Sequence, residues 1–122
     1  MTSGESGTPL NDYTLKDRLV IRIDKQFYIV NFKDIVYIED SGNNVHIFTQ
    51  HKKKYIYRIT LKSLLPKLDD SIFYQIHKSI IVNIDYVIKI GANDQGDFEV
   101  TLSNRERLKI CETLKHILEK AN

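Results

Sequence analysis

The sequence is poor in residues that crosslink or hold metals in small domains. It has one cysteine, Cys111, two prolines and no tryptophan. One thiol cannot form an internal disulfide, and together with scattered histidines it does not make a zinc site of the usual spacing. We therefore expect a reduced, cytoplasmic protein without a structural metal.

Long hydrophobic runs and nucleotide-binding motifs are also missing. No apolar stretch approaches the roughly 20 residues that a membrane-spanning helix needs, and no signal-peptide pattern opens the chain. The glycines fit neither a P-loop nor a dinucleotide-binding fingerprint. We expect no membrane association, and nucleotide binding has no support.

A strong excess of one charge is absent as well. The formal net charge is +2, and the first 17 residues sum to −2, so residues 18–122 carry +4. This modestly basic balance is compatible with a nucleic-acid partner but does not by itself indicate one.

What is present is the composition of one ordinary globular domain. The 122 residues are 42% hydrophobic and 28% charged, which is enough for a single core. The start of the chain is rich in Gly, Ser and Thr and has no apolar period. We predict a linker or added tail over residues 1–17 and one domain over residues 18–122.

Short apolar runs separated by polar turns predict a mostly β, antiparallel fold. Turn-forming or polar residues occupy Asp24 to Gln26, Ser41 to Asn44, His51 to Lys54 and Ser103 to Glu106. The first, third and fourth of these turns each predict a hairpin. The predicted strands are Leu19–Ile23, Phe27–Asn31, Asp34–Ile38, Val45–Gln50, Tyr55–Ile59, Phe73–Asn83, Tyr86–Ile90, Phe98–Leu102 and Arg107–Ile110.

Two segments have helical rather than strand periodicity. Leucines at positions 61, 64, 65 and 68 share one helical face, with Thr60 as the N-cap of a short helix that extends toward Asp70. Pro66 is expected to shorten its last turn. A second, amphipathic helix is predicted over Glu112–Lys120.

Candidate catalytic residues form no recognisable site. His77 and Ser79 are two apart on one predicted strand face, but no third group orients the histidine. Cys111 precedes a predicted helix, where a thiol can be activated, yet Glu112 opposes this and no base is assigned. The histidines lack metal-binding spacing. We expect neither an enzyme nor a cofactor.

Lys78 is unusual because it interrupts the apolar segment 76–83. A lysine is rarely buried without a partner, so it is expected to emerge at a surface or bulge. There its ammonium can meet a phosphate or a guanine edge. The alternative is an ordinary solvated lysine.

The block Phe73 to Asn83, F-Y-Q-I-H-K-S-I-I-V-N, resembles the F-x-x-x-H-R-S-x-x-V-N signature of the LytTR family. Asp34 to Glu39 is similar to the family's D-I-L-Y-I-E, and Leu61 to Leu68 to its L-x-x-L helix, so the resemblance runs from about Val20 to about Lys120. LytTR domains are DNA-binding output modules, usually joined to a receiver domain in bacterial response regulators. The resemblance implies an elongated fold of packed antiparallel sheets whose loops enter successive major grooves.

The resemblance also implies where DNA is contacted. The family's DNA-facing positions fall in the loop after Y-I-E, after the signature histidine and near the end of the last strand. The candidate DNA-binding residues here are Asn43, Asn44, His46, Lys78, Arg107 and Lys109. His77 and Asn83 are expected to be hydrogen-bonded within the fold instead.

Two positions depart from the family pattern. Lys78 replaces the usual arginine, and a point ammonium cannot form the planar fork that grips guanine, so looser selectivity is expected. Cys111 and Glu112 stand where the family usually has serine and arginine. Glu112 is expected either to repel phosphates or to accept a hydrogen bond from a cytosine amino group. Arg107 or Lys109 can supply the missing positive charge. The sequence leaves these alternatives open.

Two functions follow from these observations. The first is sequence-specific binding of double-stranded DNA in transcription regulation, at repeated sites and with dimerisation on DNA. The domain is then either the output part of a longer regulator, with a receiver domain N-terminal to residue 1, or a stand-alone module. The alternative, motivated by Glu112 and the small net charge, is a LytTR-like fold that acts as a protein-interaction or dimerisation module. The first predicts DNA binding that depends on salt and sequence, and the second predicts weak binding or none.

Overall fold

The structure, a computed structural model, describes residues 16–111, 115–116 and 120. Within them the fold is mostly β, as predicted. The elements are β1 (Arg18–Ile23), β2 (Gln26–Asn31), β3 (Ile35–Asp40), β4 (Val45–Thr49), β5 (Lys54–Tyr57), α1 (Leu61–Leu64), β6 (Phe73–His77), β7 (Ile80–Asn83), β8 (Val87–Ala92), β9 (Phe98–Leu102) and β10 (Arg107–Lys109), with 3-10 turns at Phe32–Asp34, Leu65–Lys67 and Ile84–Tyr86.

The strands form three antiparallel sheets. A central sheet has the order β5-β4-β3-β7-β6, a two-stranded sheet pairs β1 with β2, and a three-stranded sheet has the order β10-β9-β8. The three hairpins predicted from turn residues, β1–β2, β4–β5 and β9–β10, are confirmed.

The middle strands of the central sheet, β3 and β7, are buried on both faces, which explains their near-continuous apolar sequences. On one face, Ile38, Ile47 and Ile81 pack with buried residues of β1 and of the α1 region, among them Ile21 and Leu64. This is the larger of the two cores. It holds the β1–β2 hairpin and the helix against the sheet.

The opposite face of the central sheet packs against the three-stranded sheet. Val82 contributes from the central sheet, and Val100 and Leu102 contribute from β9. Tyr37 joins the two sheets because its hydroxyl donates to Glu106 Oε2, before β10, at 3.0 Å. Its ring stacks on Phe48 of the neighbouring strand β4 at 4.4 Å between centroids. Burial, followed by the contact with Glu106, raises the pKa of Tyr37, so the phenol stays protonated and keeps donating.

Asn83 is a fully buried polar side chain and, as predicted, is held within the fold. Its Nδ2 donates to the carbonyl oxygens of Phe32 at 3.2 Å and Ile35 at 2.9 Å, while its Oδ1 accepts from the backbone N–H of Asp85 at 2.9 Å. The amide therefore satisfies backbone groups at the 3-10 turn before β3 and in the 3-10 turn after β7, where the hydrogen-bond ladder of the sheet ends.

The segment predicted as one strand over Phe73–Asn83 is wrong in one respect, because it is a hairpin of β6 and β7 with Lys78 and Ser79 in the turn. The turn was not predicted because the segment is largely apolar and has no glycine, proline or aspartate at Lys78 and Ser79. Side-chain hydrogen bonds from the flanking residues close the turn instead, as described below.

Three smaller predictions also differ from the structure. The helix after Thr60 is a single α-turn that continues as a 3-10 turn, because Pro66 lacks the N–H that the α-helical ladder needs. Thr60 is the N-cap, as expected, and accepts from the backbone N–H of Ser63 at 3.2 Å. Gln26 belongs to β2 rather than to the turn, and Asp34 precedes β3.

The predicted C-terminal helix over 112–120, including Glu112, lies mostly outside the described residues. Lys115 and His116 are helical, and the Lys115 N–H donates to the Cys111 carbonyl at 3.1 Å. The predicted tail over 1–17 is described only from Lys16 onward. No helix in the described part of the chain is long and apolar enough to cross a membrane.

Candidate nucleic-acid interface

Three chain connections meet at one end of the central sheet. Asp40 pairs with Val45 across the β3–β4 loop, and the Asp40 N–H donates to the Ser79 carbonyl at 2.8 Å, which places the β6–β7 turn beside that loop. Val45 also pairs with Tyr57, so β5 ends there too. We call residues 41–44, Arg58, Lys78 and Ser79 the loop end of the sheet.

The β3–β4 loop is a hydrogen-bonded turn rather than an open loop. The Ser41 N–H donates to the Asn44 carbonyl at 2.8 Å, and the Gly42 N–H donates to Asp40 Oδ1 at 3.1 Å. Gly42 has φ +83°, a conformation that favours glycine. The turn leaves Asn43 exposed and Asn44 half-buried, in a shape set before any ligand binds.

Gly42→Ala is expected to lower the free energy of unfolding by about 1 kcal/mol because a Cβ is strained at positive φ. Nothing lies within 4 Å of the added Cβ, so backbone strain is the whole effect. Urea denaturation measures it, with Gly91→Ala as the matched control. Gly91 has equal space but no positive φ, so its variant is expected to change little. Equal losses in both variants would contradict the assignment.

The β6–β7 turn is held by the two polar residues of the signature that flank Lys78. His77 Nδ1 accepts the Ser79 backbone N–H at 3.2 Å and lies 3.0 Å from the Ser79 hydroxyl. Gln75 Nε2 donates to the Lys78 carbonyl at 3.3 Å. These contacts present the exposed Lys78 at the tip of the hairpin. His77 is therefore a positioning residue of the turn, as predicted.

The end of β10 lies beside the same turn because of an irregularity in β6. The pairing of β6 with β7 shifts register between Gln75 and His77, which leaves Ile76 out of the ladder. Its carbonyl accepts the Cys111 N–H at 2.8 Å. Lys109, exposed and two residues before Cys111, is thereby brought close to the loop end.

Arg107 and His46 lie further from the tips of the loops. Arg107 is exposed opposite Thr101, about 13 Å back along the strand from Cys111. His46 is half-buried on β4 opposite Glu39, with its ring 6.3 Å from that of Phe48. Of the six candidate residues, the structure thus groups Asn43, Asn44 and Lys78 tightly, with Lys109 beside them.

Arg58 was not among the predicted DNA-binding residues. This residue is exposed and follows β5 at the point where that strand reaches the loop end. The predicted β4–β5 hairpin contained the signal, because antiparallel pairing returns the end of β5 to the start of β4. Arg58 adds a second cation to the loop end, at the β5 edge of the sheet, whereas Lys78 lies in the β6–β7 turn at the other edge.

Acidic side chains at the loop end limit its positive potential. Glu39 is exposed at the end of β3, and the Asp40 carboxylate is engaged by the Gly42 N–H. No group of three or more His, Cys, Asp or Glu residues able to hold a metal occurs among the described residues. The site therefore offers cations, amides and backbone turns, which are groups that contact nucleic acid.

The family model of the LytTr DNA-binding domain matches residues 25–121. The chain belongs to this family. The prediction from the signature is confirmed, and with it the function class of a DNA-binding domain of transcription regulation. Nothing in the comparisons favours the alternative of a fold that has lost DNA binding.

Several relatives of the LytTr domain are regulatory proteins. This chain is 27% identical over 115 residues to the sensory transduction protein LytT of Bacillus subtilis, and the match covers 93% of this chain and 46% of that protein. The chain is 26% identical over 94 residues to the transcriptional regulatory protein NatR of B. subtilis, and the match covers 77% of this chain and 40% of that protein. The chain thus spans less than half the length of these relatives.

A solved structure supports the same fold for the LytTr domain. A LytTr DNA-binding domain from Bacillus cereus superimposes with a TM-score of 0.71 at 18% identity, covering 86% of this chain and 95% of that chain. At this identity the likeness bears on the fold alone.

Proposed function

We propose that the LytTr domain recognises specific duplex DNA sequences by inserting the β3–β4 loop and the β6–β7 turn into a major groove. The hydrogen bond from Asp40 N–H to the Ser79 carbonyl carries this proposal, because it keeps the two connections side by side. They are separated by about two strand spacings, or roughly 10 Å, which is within the roughly 12 Å width of the major groove.

The residues at these tips differ in what they can recognise. Asn43 and Asn44 carry amides that suit the donor and acceptor pair of an adenine edge, and Lys78 suits the acceptors of guanine. Arg58 and Lys109 flank the tips and contact phosphates, which fix the orientation of the protein on the duplex. Arg107 and His46 have supporting positions. Arg107 is directed to the DNA backbone, and His46 lies behind the β3–β4 loop.

We further propose that the domain is the output module of a longer cytoplasmic regulator with no catalytic role. Support comes from relatives described as sensory transduction and transcriptional regulatory proteins, of which this chain matches less than half. A receiver domain preceding residue 1, binding at repeated sites and dimerisation on DNA belong to this proposal.

The test is selection of tight-binding duplexes from random sequences, followed by fluorescence anisotropy with Lys78→Ala. We expect a shared motif, and a loss of affinity of about 5-fold to about 150-fold in the variant, which corresponds to roughly 1 to 3 kcal/mol for a base-reading residue. Lys78→Arg, which restores the fork, is expected to sharpen the preference for guanine at one position.

Lys33→Ala is the matched control, since Lys33 is equally exposed but precedes β3 at the opposite end of the sheet. We expect its affinity to equal that of the unaltered domain. Equal losses of DNA affinity in Lys33→Ala and Lys78→Ala would mean that lysines act only through the net charge of the domain. Uniformly negligible binding to every duplex would support the interaction-module alternative.

A further inference from the structure

The β1–β2 hairpin has an apolar outer face. Val20 pairs with Ile29 and Arg22 pairs with Phe27, so these side chains share the side of the ribbon that faces away from the core. Phe27 is 65% exposed, Ile29 57% and Val20 36%. Since the three are neighbours across and along two strands, they form one patch, which we call the ribbon face.

This patch departs from the pattern of a strand that is covered on one side. The inner side chains Leu19, Ile21 and Val30 are buried, and a solvated outer face would alternate polar residues with them. Here consecutive positions are apolar on both strands, as in strands that are covered on both faces. The sequence of the hairpin is thus that of an inner layer, while in the described part of the chain it is an outer one.

Cations border the ribbon face. Arg18 and Arg22 lie on β1 on the same side as Val20, because side chains two apart share a face. Both are exposed, and the Arg22 guanidinium lies 5.8 Å from the centroid of the Phe27 ring. In the adjoining turn Lys25 and Asp24 are both exposed, so their charges offset each other. The surface therefore has an apolar centre bordered by two arginines.

We propose that the ribbon face docks an amphipathic helix of a partner protein that has leucine-like residues along one side and carboxylates beside them. The apolar side would cover Val20, Phe27 and Ile29, and the carboxylates would pair with Arg18 and Arg22. A second copy of this chain fits worse, because stacking two ribbon faces brings arginines against arginines. The proposal is separate from DNA binding, since neither β1 nor β2 contributes a connection to the loop end.

The probe is a labelled helical peptide of about 20 residues, with leucines along one face and glutamates beside them, long enough to be helical when bound. Two further peptides replace the glutamates by lysines or the leucines by serines. The full chain is titrated into each peptide and binding is followed by fluorescence anisotropy. We expect the acidic, leucine-containing peptide to bind at least about tenfold more tightly than either other peptide.

Phe27→Ser is expected to weaken this binding at least about tenfold, because an aromatic at the centre of a contact carries much of its affinity. Ile29→Thr, which retains a strand-forming residue, is expected to act in the same direction. Ile88→Ser is the matched control, since Ile88 is 66% exposed but lies on β8 of another sheet, and its variant is expected to bind the peptide normally.

Charge reversal is the sharper test. Arg22→Glu is expected to weaken binding of the acidic peptide and to strengthen binding of the lysine peptide. Loss of folding cannot produce this exchange of preference. The proposal is overturned if the acidic peptide does not bind, if Ile88→Ser loses as much affinity as Phe27→Ser, or if Arg22→Glu leaves the preference unchanged. It is also overturned if the free chain is a dimer that Phe27→Ser dissociates, since the occupant is then a second copy.

Discussion

Asn83→Leu is expected to lower the free energy of unfolding by about 2 to 4 kcal/mol, although leucine has nearly the same volume. The variant removes three hydrogen bonds from a position with no exposed surface. The carbonyls of Phe32 and Ile35 and the N–H of Asp85 lose this partner. Urea denaturation followed by circular dichroism measures the change. The slope of the free energy of unfolding against urea concentration is expected to stay constant.

Asn43→Ala is the control for this effect, because Asn43 is exposed in the β3–β4 loop. Its free energy of unfolding is expected to stay within about 0.5 kcal/mol of the unaltered domain. A loss below about 1 kcal/mol in Asn83→Leu would contradict the prediction. It would mean that water or a backbone shift satisfies the three groups as well as the amide does.

DNA affinity is expected to fall roughly 100-fold between about 50 and about 200 mM KCl. The four exposed cations assigned to DNA are Arg58, Lys78, Arg107 and Lys109. If each neutralises a phosphate or an equivalent charge, the plot of log affinity against log salt has a slope of about −3.6. Fluorescence anisotropy with the selected duplex at several salt concentrations measures this slope.

Arg58→Ala is expected to reduce the magnitude of this slope by about 0.9, because one phosphate contact is removed, and to weaken binding similarly on all duplexes. Lys33→Ala again provides the control and is expected to leave the slope unchanged. A slope near zero would contradict the role of the cations. A full slope that persists in Arg58→Ala would remove that residue from the contact surface.

The two departures from the family pattern at the DNA surface have different consequences. Lys78 keeps a positive charge in the place where the family usually has arginine, and its turn is formed by His77 and Ser79 independently of which cation it carries. Affinity is therefore expected to be less affected than selectivity. Glu112 lies outside the described residues, so its effect rests on sequence alone.

Much of the fold could be predicted from local sequence. The alternation of Phe98, Val100 and Leu102 predicts β9, and the leucines after Thr60 predict the helix together with its N-cap, because these patterns report which side of each element is buried. The H-K-S motif within Phe73–Asn83 indicated the family, which the family model confirms.

Other features had no local signal. The turn at Lys78 contains no glycine or proline, and it forms because His77 accepts the Ser79 N–H. Arg58 is a different case, because the predicted hairpin contained its signal, but the predicted strand Tyr55–Ile59 placed it inside β5, which ends at Tyr57 in the structure. The exposure of Phe27 was equally hidden, since an apolar residue in a strand predicts burial and nothing local reveals which layer is outermost.

Local sequence patterns were therefore sufficient to predict the class of fold, most strands, the family and the types of side chain available to contact DNA. Which of those side chains lie together depends on tertiary packing. The bonds from Asp40 to Ser79 and from Cys111 to Ile76 join residues that are 35 or more positions apart. Such register depends on how whole sheets pack, because burial of both faces of the central sheet's middle strands outweighs the preference of any single segment.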